Sequence, residues 1–235
     1  MKTYSTPHYI FTYEEGSLAE KDIKMIADVQ ENSFNKICET LKVDFPEKIK
    51  YYLLDSKEEV GKLYGDNTPI NGFAVWGENK VYVVYNNDTK CIGPHEDAHL
   101  ISFIINAPIS DFIVEGLAMY FDKEWWRQSN DSWAAYYKKN DDTLSILKLL
   151  DNNEFFKYNC ELTYPIAGSF TKFLIETFGI SKYLELYKIK TEIKKEDFEN
   201  IFNLTPFEIE TMYWNKMKEF PFNSKTLKKL LNDIK

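Results

Sequence analysis

Apolar residues in the first third of the chain follow two periods. Tyr9-Ile10-Phe11-Thr12-Tyr13 and Ile49 to Leu54 are short aromatic and β-branched runs that predict strands. Phe73 to Trp76 and Lys80 to Tyr85 predict two more, joined at Gly77-Glu78-Asn79. Between the first two runs the period lengthens. From Leu18 to about Val43, Ile23, Ile26, Ala27, Phe34, Ile37, Cys38 and Leu41 recur at three- and four-residue steps, which predicts a helix with one buried face. Gly16 and Ser17 supply its turn and cap, Pro46 its end, and Ser56 to Tyr64 reads as a short second helix. After Asn87 almost every segment reads as helix: Pro94 to Ile105, Ser110 to Trp126, Ser132 to Lys139, Leu144 to Leu150, Tyr164 to Phe178, Ser181 to Lys188, Thr205 to Glu219 and Lys225 to Ile234. The expected fold class is α+β, with a small mixed sheet and its helices over residues 1–106 and an all-helical part over 107–235, together one compact unit.

Composition narrows the functional classes. At 235 residues the chain suits one well-cored domain or two small lobes sharing a cleft, and with a hydrophobic fraction of 44% and no stretch of low hydrophobicity and high charge, disorder is expected at most at the ends. Acidic residues outnumber basic ones 37 to 29, for a formal charge of −8, and Arg127 is the sole arginine. That balance argues against a nucleic-acid backbone or an anionic membrane as partner. Cys38, Cys91 and Cys160 are widely spaced, which suits neither a thiolate zinc site nor a disulfide framework. The start of the chain is polar and no apolar run reaches the ~18 residues of a membrane span, so no signal peptide, no membrane span and a cytoplasmic location are expected.

The chemistry concentrates in His95-Glu96-Asp97-Ala98-His99. Residues four apart on a helix stack one turn above the other, so both imidazoles can hold one metal while Glu96 projects beside them. Glu96 can then serve as general base toward a metal-bound water without being a ligand. Catalytic zinc takes three protein ligands and keeps a fourth position open. Glu115 is the candidate for the third, sixteen residues beyond His99 and set among Ile113, Val114, Leu117 and Ala118, where a carboxylate without a compensating charge is costly. Gly116 beside it lets two helices approach closely. One zinc ion per chain is therefore expected.

These segments resemble the gluzincin metallopeptidases, in particular the compact group called peptidase MA-like. His95 to His99, then Glu115-Gly116-Leu117-Ala118 with Tyr120, then Tyr164-Pro165-Ile166-Ala167-Gly168-Ser169-Phe170 occur in the family's order. The resemblance implies a zincin-like fold with the zinc site in the cleft between the two lobes, and hydrolysis of a peptide or protein substrate. It also implies Tyr164 as hydrogen-bond donor to the oxyanion, and an edge strand that pairs with extended substrate, either Phe73-Ala74-Val75 and Trp76 or Val81 to Tyr85. This chain departs from the pattern at Asp97, where an uncharged residue is usual, and at Pro94 just before the motif, which leaves the ligand helix less firmly anchored. It departs again at Met119, where some gluzincins carry an aspartate that orients a histidine; Asp111 and Asp122 are the candidate substitutes. The alternative reading is a catalytically inactive zincin-fold protein that binds peptides or proteins.

Overall fold

Five strands, β1 (Lys2–Ser5), β2 (Tyr9–Tyr13), β3 (Ile49–Leu54), β4 (Gly72–Val75) and β5 (Lys80–Val84), form a mixed sheet in the order β1-β2-β3-β5-β4 in the computed structural model, which describes residues 1–65, 67–142 and 144–234. Parallel neighbours need a crossover. Helix α1 (Leu18–Leu41) makes the one between β2 and β3, and α2 (Lys57–Tyr64) lies on the path from β3 to β5. Alternation along β2 buries Tyr9, Phe11 and Tyr13, and β3 likewise buries Ile49, Tyr51 and Leu53. Strand β1 has no such alternation; Lys2-Thr3-Tyr4-Ser5 is an edge strand held by its pairing to β2, which is why its sequence does not announce it.

The Ser17 cap forms as expected, its hydroxyl accepting from Glu20 N–H at 3.2 Å. Helix α1 ends earlier than Pro46 requires, because Lys42 turns left-handed at φ 55°. Its buried face is Ala19, Ile23, Ile26, Ala27, Gln30, Phe34, Ile37 and Leu41. Gln30 is the one polar member of that stripe.

The sheet, α1, α2 and the short helix α3 (His95–Ser102) belong to the first of two compact units, Met1–Ile105; the second is Asn106–Lys235. The second unit contains α4 (Asp111–Asp122), β6 (Glu124–Trp125), β7 (Gln128–Ser129), α5 (Asn130–Lys139), α6 (Ile146–Leu149), α7 (Asn152–Phe155), α8 (Cys160–Phe178), α9 (Ile180–Tyr187), α10 (Lys195–Phe202), α11 (Pro206–Glu219) and α12 (Ser224–Ile234). No described helix is long and apolar enough to cross a membrane.

Two differences from the expected elements have identifiable causes. The helix expected over Ser110 to Trp126 stops at Asp122, where Lys123 turns to φ 66°, and β6 and β7 then form a hairpin whose central residues, Trp126 and Arg127, both have positive φ. Such two-residue turns are normally signalled by Asn-Gly or Asp-Gly; Trp-Arg carries no such signal. Helix α8 begins one turn before Tyr164, with Pro165 inside it. Proline has no N–H to offer the carbonyl four residues back, and the Tyr137 hydroxyl donates to that carbonyl, Glu161 O, at 2.7 Å. A tertiary hydrogen bond thus replaces the helical one, and the helix continues past a residue that reads as its start.

Candidate metal centre

Helix α3 carries His95 as its first residue. Pro94 occupies the cap position in αR conformation and makes no side-chain cap hydrogen bond. The ring centroids of His95 and His99 lie 5.0 Å apart and the rings meet edge-on at 87°, the closeness expected of helical positions one turn apart. His95, Glu96 and His99 are half-buried, whereas Asp97, Ala98, Leu100 and Ile101 are buried. The motif's polar residues therefore divide, two histidines and Glu96 on the more open side and Asp97 on the core side.

Asp97 departs from the anchoring expected of this helix. It is 0% exposed, and its Oδ2 accepts from Tyr9 Oη at 2.5 Å and from Gln30 Nε2 at 2.8 Å. Burial drives the Asp97 carboxyl well above the usual carboxylate range; the hydrogen bonds from Tyr9 and Gln30 oppose that and the adjacent Glu96 charge adds to it. The Gln30 amide also grips the turn before the helix, donating to Gly93 O at 3.0 Å and accepting from Gly93 N–H at 2.7 Å. Far from loosening the ligand helix, the residues around Pro94 and Asp97 tie it to α1 and β2. Sequence reasoning passed over Gln30 and Tyr9; the available signal was a glutamine at a stripe position of α1, between Ala27 and Phe34.

Strand β4 packs along α3. At Gly72 an added Cβ would lie 3.2 Å from Glu96 Oε1, 3.1 Å from Tyr82 O and 3.0 Å from a Val83 methyl. The β4 backbone thus comes up against the Glu96 carboxylate, and the absent side chain makes room for it. Of the two strands expected to pair with substrate, β5 is flanked by β3 and β4, so Val81 to Val84 has no open edge, while Phe73, Ala74 and Val75 lie on the edge strand β4. Phe73 stacks on Tyr82 and Trp76 meets Phe103 edge-on.

Glu115 is half-buried on α4, between buried Val114 and Gly116. Two glycines let α4 and α8 pack closely. An added Cβ on Gly116 would lie 2.5 Å from Thr171 Oγ1 and 3.0 Å from Ala167 O, and one on Gly168 would lie 2.5 Å from Met119 Cβ. Met119 therefore fills a packing position against α8. Burial, followed by the charge of Glu115, raises the Asp111 carboxyl above its usual range, which places Asp111 within electrostatic reach of the candidate ligand. Tyr164 packs its ring between Trp125, at 5.7 Å, and Phe155, at 6.0 Å.

Among the described residues, His95, His99 and Glu115 each offer one ligand atom, and these atoms lie within 4.8 Å of one another. Tetrahedral coordination at about 2.1 Å sets ligand atoms about 3.4 Å apart. Two imidazoles with one carboxylate form the donor set of catalytic zinc sites and leave a fourth position to another ligand. The three residues could hold a metal ion. Compared with protein-family models and with curated proteins, the chain matches none.

Proposed function

We propose that this protein is a zinc-dependent peptidase of the gluzincin type, with a zincin-like fold, one zinc ion per chain and a peptide or protein substrate. One observation carries the reading: the ligand atoms of His95, His99 and Glu115 converge within 4.8 Å. Three protein donors of this composition hold a catalytic ion and leave one position to another ligand. When bound, zinc supplies a Lewis acid that polarises the substrate carbonyl and makes water acidic enough to lose a proton near neutral pH. Glu96, one residue along the helix from His95, takes that proton and passes it to the leaving amide nitrogen, acting first as base and then as acid. Tyr164 has the role of oxyanion donor from the family resemblance alone. The open edge of β4 offers backbone N–H and C=O groups to an extended peptide, alongside Glu96.

Metal analysis and a peptide-library digest test this directly. Wild type should carry about one zinc per chain and His95→Ala almost none. Glu96→Gln should retain zinc and lose cleavage by roughly a thousandfold, since its amide cannot accept the proton. Zinc absent from wild type defeats the metal assignment. Zinc present with no cleavage by wild type favours the binding protein over the hydrolase.

A further inference from the structure

Helix α3 has only eight residues, and two turns of helix are marginal without tertiary support. Its cap position makes no side-chain hydrogen bond, and His95 sits in the first turn, where a helix frays most readily. A ligand in a fraying turn is poorly placed to hold a metal. The same Gln30 side chain, however, grips Gly93 two residues before His95 and Asp97 two residues after it. Its amide pairs with both the N–H and the C=O of Gly93, at 2.7 and 3.0 Å, and donates to Asp97 Oδ2 at 2.8 Å. Tyr9 Oη, which donates to the same carboxylate oxygen at 2.5 Å, lies 3.1 Å from Gln30 O. All these groups are at or near zero exposure except Gly93, which is half-buried.

Helical residues are rotated by about 100° each, so Asp97 stands about 200° from both His95 and His99. Drawing its carboxylate into the core turns both imidazoles to the other side. Holding Gly93 fixes where the first turn begins. Hydrogen bonds are directional where apolar contact is not, so this network sets the helix's rotation as well as its position.

We propose that Gln30, Asp97 and Tyr9 are positioning residues for the metal-ligating helix, which hold the first turn of α3 in the metal-binding rotation before any ion arrives. The inference rests on His95 and His99 being zinc ligands. It predicts that the network's loss weakens zinc binding in molecules that remain folded, as loss of hydrogen-bonded support to a ligand typically lowers metal affinity 10- to 100-fold.

The test is a competition titration of Zn2+ against a chromophoric chelator, with circular dichroism to confirm folding and imidazole NMR on the metal-free protein. The chain's three histidines make the spectrum tractable, and His8, bonded through Nδ1 to Glu31 at 2.6 Å, is the one ring outside the candidate ligand cluster. Gln30→Ala should weaken Zn2+ binding at least tenfold and broaden the His95 ring signals, with an unchanged folded spectrum. Tyr9→Phe removes a single hydroxyl and should give about a threefold loss. Asp97→Asn, which keeps the shape and an acceptor for Tyr9, should stay within threefold of wild type, whereas Asp97→Ala should match Gln30→Ala. Zn2+ affinity unchanged in folded Gln30→Ala and Asp97→Ala, even with a lower melting temperature, overturns the inference and leaves these residues a purely structural part of the core. Wild type that binds no Zn2+ overturns the metal-centre reading itself, a separate result.

Discussion

Helices α3 and α4 carry the candidate ligands and are held in opposite ways. Helix α3 is short, makes no side-chain hydrogen bond at its N-cap residue, and is anchored through Asp97 by hydrogen bonds from Tyr9 and Gln30. Helix α4 is longer, presents Phe112, Ile113, Val114, Leu117, Ala118, Met119 and Phe121 as buried side chains, and closes on α8 at Gly116 and Gly168. Hydrogen bonds fix orientation with little buried area, while apolar packing stabilises strongly and is limited by volume. The helix bearing two ligands needs its rotation set. The helix bearing one needs closeness, so α3 should fail by the loss of single polar atoms and α4 by overcrowding.

The largest expected effect tests the crowding of α4. Gly168→Val places branched carbon where even a Cβ would lie 2.5 Å from Met119 Cβ and 2.6 Å from Asn130 Nδ2. We expect a loss of about 3 kcal/mol in urea unfolding; a loss under about 1 kcal/mol would show that α4 and α8 can part without cost, and the contrast would weaken. The next asks whether α3 also depends on volume, at its β4 side. Gly72→Ala should press on Glu96 and slow the proposed hydrolysis roughly tenfold, about 1.4 kcal/mol in the barrier, with Zn2+ affinity within twofold of wild type. An unchanged rate would mean that β4 yields and Gly72 leaves Glu96 undisturbed. The smallest asks whether the second unit uses a single hydrogen bond as the first does. Tyr137→Phe leaves Glu161 O without the bond that replaces the one Pro165 cannot make, and should cost about 1 kcal/mol with Tyr164 retained in a folded helix. A larger loss would mean that α8 is anchored as α3 is.

Much of the fold was legible because it is local. The alternation in Tyr9 to Tyr13, the stripe from Ile23 to Leu41 and the cap at Ser17 are periodic or short-range signals, and each produced the element it predicts. Other elements were illegible for equally physical reasons. Strand β1 is polar and depends on its neighbour, the β6–β7 turn uses Trp126 and Arg127 at positive φ, and α8 runs through Pro165 because a side chain distant in sequence satisfies the carbonyl. At the candidate centre the HExxH spacing was legible for the same reason a stripe is, since helical rotation alone puts His95 and His99 on one side. Asp97 read as a blemish in that motif because its partners lie 88 and 67 residues away in the chain.

What the sequence alone determined was which residues could share a helical face, because that depends only on the rotation per residue: His95 with His99, and Ile23 and Ala27 with Phe34. What tertiary structure decided was what those faces meet. Whether Asp97 is solvated or gripped and which strand lies at the sheet's edge both depend on groups remote in the chain. Local geometry is written residue by residue, whereas burial and hydrogen-bond partnership are properties of the packed whole.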